Sequence, residues 1–404
     1  STPIKSSAAS DVYKRQMKHV YYIVVVWTFL LQSCHSADKV RAQLEEPLKL
    51  EILKRAEKDM QAEPVTVTSF IAERSVGTPH DFFSEGDYWW PDTLHPEGPY
   101  IRRDGETNPD NFVEHRHAMI RFSRIVGNLT SAYLLTGDPN YIAPVVKHIK
   151  AWFMDERTRM NPHLLYAQAI KGIATGRGIG IIDTIHLVEI VQSLIRLEEK
   201  GLLSQELLEG TKKWFAAYLD WMTTHPYGID EMNAANNHGT CWAMQAAIFA
   251  KYVGNKQIME QCAERFKHIF LVEQMEVDGS FPRELKRTKP YGYSLFNLDA
   301  MAALCQILST DKDNLWEYTT SDGKNMRKAL QFMHPYIVDK QSWGYPADVM
   351  YWEEWPVAQP ALIFAWKQFN NEDYYRTWLA LDHFPENEEV VRNLPIRNPI
   401  IWLY

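Results

Sequence analysis

Residues 112–153 read FVEHRHAMIRFSRIVGNLTSAYLLTGDPNYIAPVVKHIKAWF, and the architecture can be worked out from them. Apolar residues recur at three and four spacing from Phe112 to Leu135, which predicts one long helix. It stops at Thr136-Gly137, because glycine accepts the left-handed backbone that ends a helix. Asp138-Pro139 then supplies an N-cap and a first-turn proline for a second helix reaching Phe153. A turn this short makes the two helices an antiparallel hairpin.

The same grammar repeats along the chain. Leu48 to Met60 reads as a helix. Ile181 to Glu199, closed by Lys200-Gly201, pairs with Gln205 to Thr223, opened by Ser204. Gly239 to Val253, closed by Gly254, pairs with Lys256 to Val272, opened by Asn255. Further helices are predicted at Ser294 to Leu308, Gly323 to Val338, Pro356 to Phe369 and Asp373 to His383. Strand-like alternation is scarce. Helix hairpins with short turns, no heptad seam and no fixed repeat period predict an all-α chain built as an (α/α) toroid, an incomplete barrel of antiparallel hairpins, rather than a solenoid. One catalytic domain is expected over residues 38–404. Residues 77–110, rich in Gly, Pro, Trp and Asp, and residues 276–292 break the helical grammar. Long irregular segments on a rigid scaffold are where function concentrates.

The chain has 404 residues, 46% hydrophobic and 23% charged, which excludes a disordered or collagen-like protein. Its net charge of −8 offers no basic field for nucleic acid. Fourteen Trp and 20 Tyr in such a chain suit stacking on sugar rings, although core packing also uses them. Met17, Lys18 and His19 precede the apolar run from Val20 to Leu31, the pattern of a secretion signal too short for a stable membrane span. The run ends Leu31-Gln32-Ser33-Cys34, like a bacterial lipobox. Residues 1–16 therefore read as a non-native leader or extension, 17–34 as a lipoprotein-type signal, and Cys34 as the lipidated N-terminus of an exported protein. Periplasm or outer membrane of a Gram-negative bacterium is the expected location, with membrane contact only through the anchor. Cys241, Cys262 and Cys305 form no CxxC and sit in apolar helical contexts, where they read as small buried hydrophobes.

The chemistry concentrates in two segments. In Asn236-Asn237-His238-Gly239, amides and an imidazole stand where a helix begins, a place that favours an anion, so they could clamp a carboxylate; a plain helix cap with a satisfied histidine fits as well. Downstream, Arg283, Lys286, Arg287 and Lys289 stand beside Tyr291 and Tyr293 just before a helix. A phenol ordinarily titrates near 10, and adjacent cations favour the phenolate, so an Arg and a Tyr here form a credible acid/base pair; a basic surface loop fits too. His115 and His117 invite a metal reading, but residues two apart on a helix do not share a face, and no metal is expected.

Together these segments resemble the alginate lyase superfamily, polysaccharide lyases of α/α toroid fold. The resemblance extends through Gly86-Asp87-Tyr88-Trp89-Trp90-Pro91-Asp92, Gly98-Pro99-Tyr100-Ile101-Arg102-Arg103-Asp104-Gly105, Thr158-Arg159-Met160-Asn161-Pro162, Tyr166-Ala167-Gln168-Ala169 and Gly176-Arg177-Gly178-Ile179-Gly180. It implies that Asn237 and His238 neutralise a uronate carboxylate, that Arg287 assists, and that Tyr293, or Tyr291 two residues earlier, moves the protons. Trp89, Trp90, Arg102 and Arg103 are assigned to a cleft wall, stacking on sugars and meeting carboxylates. Tyr166, Gln168 and Arg177 join the cleft through the resemblance, and Arg283 and Tyr291 complete the substrate-binding set. The implied partner is an anionic polysaccharide, alginate or a related 4-linked polyuronate, cleaved by β-elimination without a cofactor. One Tyr can serve as base and acid when both protons lie on one face; otherwise His238 could be the base and Tyr293 the acid. An inverting glycoside hydrolase would instead need two carboxylates, for which Asp87, Asp92, Glu284 and Glu353 are candidates. A non-catalytic glycan-binding lipoprotein would need only the Trp-rich segments.

Overall fold

A computed structural model describes residues 40–404. The predicted signal, Cys34 and the expected leader lie outside the described residues. Of Ser1–Leu48, residues 40–48 are described and are helical; Lys49–Tyr404 form one compact unit. Helix α1 covers residues 40–59. The hairpin predicted first is α2 (Glu114–Thr136) and α3 (Ile142–Phe153), with Gly137 left-handed at the stop and Asp138 capping the turn into α3. Then come α4 (Leu187–Glu199), α5 (Gln205–Thr224), α6 (Pro226–Met232), α7 (Asn237–Val253) and α8 (Lys256–Arg265). The remainder are α9 (Pro282–Leu285), α10 (Pro290–Leu308), α11 (Met326–Val338), α12 (Pro360–Phe369), α13 (Glu372–Leu379), α14 (Glu388–Arg392) and α15 (Pro399–Leu403).

Helices α2, α4, α7, α10 and α12 pack each on the next, and α15 touches α12, α2 and α4, closing the ring. Helices α7 and α10 are buried along nearly their whole circumference, as an inner position demands of an all-round apolar helix. Helices α3, α5, α8, α11 and α13 form the outer layer, each with one apolar face inward. This is the expected α/α toroid. Cys241, Cys262 and Cys305 are free and buried within it.

Several helix limits differ from the periodicity. The first helix starts by residue 40 rather than at Leu48, those expected from Gly323 and Pro356 start at Met326 and Pro360, and that expected to reach His383 ends at Leu379. Three further differences have a tertiary reason. The helix expected at Ile181 starts at Leu187, preceded by a 3-10 turn, Gly178–Thr184. That turn is tied to strand backbone: Arg177 N–H bonds the Ala167 carbonyl, and a Cβ on Gly180 would lie 2.5 Å from the Ala167 Cβ. The helix expected from Lys256 to Val272 is α-helical only to Arg265, then π-helical over Phe266–Gln274. The wider turn ends at buried Gln274, which bonds Thr240, Asn297 and the Asn236 carbonyl. Helix α10 begins at Pro290, before the predicted Ser294, because the distant Asp348 carboxylate accepts the Tyr291 and Gly292 N–H groups at 2.9 Å and acts as its cap.

The irregular segment 77–110 carries β1 (Phe83–Glu85), β2 (Trp89–Trp90) and β3 (Ile101–Arg102). Strand β1 pairs in parallel with β4 (Tyr166–Ala169), and β2 pairs antiparallel with β3, Trp89 opposite Arg102. These strands bring the aromatic and arginine residues to the end of the toroid where α7 and α10 begin.

Histidines buried in this scaffold contribute to its acid sensitivity, His115 and His148 among them. Burial holds His115 and His148 neutral, each lowered to about 4. Between their ordinary value of about 6.5 and 4 the unfolded chain binds the extra protons, so stability must fall as the pH falls through that window. The loss approaches ~3 kcal/mol for each at pH 4. Thermal melts from pH 7 to pH 4 should show this decline, and a His148→Gln variant should show a shallower one; an equal slope would exclude His148 as a source.

Candidate active site

The beginning of α7 is built around two buried carboxylates. Glu284 on α9 accepts the Asn237 backbone N–H and the Asn237 side-chain amide, both at 2.7 Å. Glu231 on α6 bonds His238 Nδ1 at 2.7 Å. One amide hydrogen of Asn237 and the Nε2 edge of His238 are left for a ligand. Gly239 follows because the helix begins hard against residue 234; a Cβ there would lie 2.2 Å from the Ala234 carbonyl oxygen. Burial raises the Glu284 carboxyl despite the Asn237 hydrogen bonds. Arg283, expected in the cleft, is exposed and donates to the Ala235 carbonyl at 3.0 Å, bracing the approach to α7.

Arg287 and Tyr293 meet in front of α10. The Arg287 guanidinium lies 4.5 Å from the Tyr293 ring centroid and 3.5 Å from its hydroxyl. It also grips Asp104 through Nε at 3.1 Å and Nη2 at 2.9 Å. Burial opposes the Asp104 charge, but Arg287, Arg102 and Thr288 outweigh it and bring the carboxyl down to about 2. The Tyr293 hydroxyl is 2.8 Å from that of Tyr88. The expectation that cations favour the Tyr293 phenolate is corrected here: burial, then Tyr88, raises its pKa well above 10, and Arg287 offsets only part. Tyr293 in this structure is a neutral phenol.

Tyr291 is not in the cleft. Its ring is fully buried against Trp343 and Trp352, and its hydroxyl donates to the Tyr336 carbonyl at 3.0 Å. Three residues make nearly one helical turn, so Tyr291 and Tyr293, two apart, emerge on different sides of α10. Of the two, Tyr293 is the one that lies against Arg287.

The residues expected in a cleft wall lie on and beside β2 and β3. The half-buried rings of Trp89 and Trp90 stand near the guanidiniums of Arg177 (5.8 Å) and Arg103 (5.1 Å). Arg102 is exposed and paired with Asp104 at 2.6 Å. Arg177 is partly buried, which lowers its pKa to about 10. Tyr166 is half-buried under Gly77, close to His163. Gln168, expected to touch substrate, is instead buried and committed: its amide donates to Asp183 at 3.0 Å and Asp87 at 3.3 Å and accepts from Arg177 at 3.2 Å. It belongs to the charged floor beneath the wall. There Asp87 pairs with Arg116 and Arg392, Arg392 with Glu389, and Glu389 with Lys289, whose ammonium lies 5.2 Å from the Tyr88 ring.

The carboxylates of a hydrolase do not face one another. Asp87 is locked in that floor, Glu284 holds Asn237, Asp92 pairs with His95 on the surface, and the Glu353 side chain is 85% exposed. His115 and His117 also part: His115 Nδ1 accepts the Phe83 N–H at 2.9 Å, while His117 faces Glu388. Sequence reasoning missed Tyr88, Glu231 and Asp104 and named Glu284 in another role. Tyr88 and Asp104 lay within motifs already singled out; Glu231, across a helix break from His238, carried no signal.

A helical toroid, with aromatic strands and a cluster of hydrogen-bond donors near a buried tyrosine, is the architecture of a polysaccharide lyase, and similarity to known proteins shows that class for this chain. The alginate lyase family model matches residues 66–343, and the chain belongs to that family. An alginate lyase from Bacteroides ovatus is 30% identical, with a TM-score of 0.77 over 91% of this chain and 97% of that one. Alginate lyase A1-III, in a His-to-Ala variant complexed with tetrasaccharide, is 14% identical with a TM-score of 0.57, covering 85% of this chain and 88% of that one. A Tyr-to-Phe variant of the same lyase, also complexed with tetrasaccharide, gives 13% and 0.58 over 91% and 94%. Comparison with curated protein sequences returns no match.

Proposed function

We propose that the chain cleaves alginate or a closely related 4-linked polyuronate by β-elimination, with Asn237, His238, Arg287 and Tyr293 performing the chemistry. The observation that carries this reading is the convergence of an anchored amide and imidazole with a guanidinium stacked on a buried phenol. In the reaction the C5 proton leaves to a base, a C4=C5 double bond forms, the C4–O4 bond breaks and O4 takes up a proton. Negative charge grows on the C6 carboxylate as C5 is deprotonated, and donors fixed there in advance stabilise it most. Asn237, His238 and Arg287 are those donors. Tyr293, a neutral phenol, delivers the proton to O4. Where the C5 hydrogen lies on the same face, Tyr293 does both. Its own proton passes to O4 as the C4–O4 bond breaks, its oxygen takes the C5 proton so that the neutral phenol is restored, and Arg287 stabilises the phenolate character that develops between. Where it lies on the opposite face, His238 Nε2 takes it, with Nδ1 pinned by Glu231 in the manner of a histidine–carboxylate pair. Trp89 and Trp90 offer ring faces to the sugars on either side. The ligands of the A1-III complexes, tetrasaccharides, support an oligosaccharide-sized cleft here as well.

The test is a panel of polymannuronate, polyguluronate and polyglucuronate followed by ultraviolet absorbance. At least one should yield the absorbing unsaturated uronate; reducing ends without absorbance would mean hydrolysis and overturn the reading.

A further inference from the structure

A second cavity of about 690 Å³ lies behind α14, between α1, the middle of α2 and the segment 383–398. It is separate from the catalytic cleft: Glu389 and Arg392 point from α14 toward Lys289 and Asp87, whereas Glu388 and Val391 of the same helix line the cavity. Lys54, Arg55, Lys58, Arg121, Arg124 and Arg397 converge on it, against three lining glutamates. In a chain of net charge −8 this is a local reversal of sign.

Two of these cations, Lys58 and Arg121, lack a carboxylate partner among the described residues, whereas Arg397 has the buried Glu189 carboxylate beside it, accepting its backbone N–H at 2.7 Å. Arg124 is paired with Asp59, and Arg55 with Glu51. Arg121 donates to the Glu63 carbonyl and Arg397 to that of Ile120. The Arg397 Nε is buried without any hydrogen-bond partner. Burial, then the neighbouring Arg124 charge, lowers the Arg121 guanidinium, and Asp59 offsets part of this. Phe384 adds a half-buried ring with Arg55 4.8 Å above it, so the wall carries both an aromatic face and guanidinium forks. A guanidinium and an ammonium without facing carboxylates in a confined site, here Arg121 and Lys58, select carboxylates, and an aromatic face selects a sugar ring. The volume falls within the range of about 300–1,000 Å³ typical of ligand sites, room for more than one sugar.

We propose that this cavity is a second binding site for the polyuronate chain, holding carboxylated sugars away from the catalytic cleft. The proposal rests on the polyuronate reading of the active site. Its consequence is retention: a long chain held at two places re-enters the cleft as an intramolecular event.

The full chain carrying Tyr293→Phe, titrated calorimetrically with a hexauronate prepared from alginate, should bind two molecules. Adding Lys58→Glu or Arg121→Gln should leave one, with the other affinity unchanged. The Lys58 side chain is exposed and makes no hydrogen bond or ion pair among the described residues, so its replacement spares the fold. In the otherwise wild-type enzyme, Lys58→Glu should raise the KM for long polymer by about tenfold while leaving that for a trimer unchanged. A single site indifferent to both substitutions would overturn the second site and leave the lyase reading intact. Inorganic phosphate displacing hexauronate from the cavity at equal concentration would also overturn it, marking a small-anion site. Failure of every polyuronate to bind or react would overturn both readings.

Discussion

Tyr293→Phe should lower turnover by roughly 10²–10⁴-fold on every polyuronate the enzyme cleaves, while oligouronate affinity stays close to that of the parent. Only one oxygen is removed, and the ring that Arg287 covers at 4.5 Å remains. The lost atom is the one 2.8 Å from the Tyr88 hydroxyl, so Tyr88 loses its partner without a change in packing. The control is Tyr291→Phe, which breaks a hydrogen bond to the Tyr336 carbonyl inside an aromatic cluster. Its effect should appear in the melting temperature and leave turnover nearly unchanged. If Tyr291→Phe were the inactive variant, the assignment of the proton-transferring residue would be wrong.

His238→Ala and Asn237→Ala should each reduce kcat by about a hundredfold or more, with smaller changes in substrate affinity. Donors aimed at a charge that grows during reaction act more on the transition state than on the bound substrate. Asn237→Ala has a second effect, because it strips one of two hydrogen bonds from a buried carboxylate, Glu284. It should therefore destabilise the fold as well, by ~1–3 kcal/mol. Glu231→Gln separates positioning from contact: it removes the charge that orients Nδ1 while keeping a hydrogen-bonding group, so kcat and its pH profile should move and KM should not. Equal losses in affinity and turnover for His238→Ala would assign the imidazole to substrate holding alone.

The helices themselves were legible in the residues because their signals are local. Gly137, Gly254 and Ser204 act within one turn of the backbone they terminate or cap, so a linear reading finds them. Where the cap comes from far along the chain the reading fails, as at α10, which Asp348, 57 positions beyond Tyr291, extends by a turn. Likewise the π-helical end of the α8 segment answers to Gln274 reaching α7, a contact with no local mark.

What the sequence determined alone was the toroidal hairpin architecture, the family and the two segments proposed to carry the chemistry, since periodicity, caps and motifs are properties of neighbours in the chain. Only the tertiary structure decided which tyrosine faces the cleft, because the circuit of α10 sends Tyr291 into an aromatic core and Tyr293 toward Arg287. It also decided that Gln168 serves the charged floor, that Glu284 and Glu231 are anchors for Asn237 and His238, and that the Tyr293 phenol is kept neutral. Burial and partnership set these outcomes, and both are sums over residues distant in sequence that meet only when the ring of helices closes.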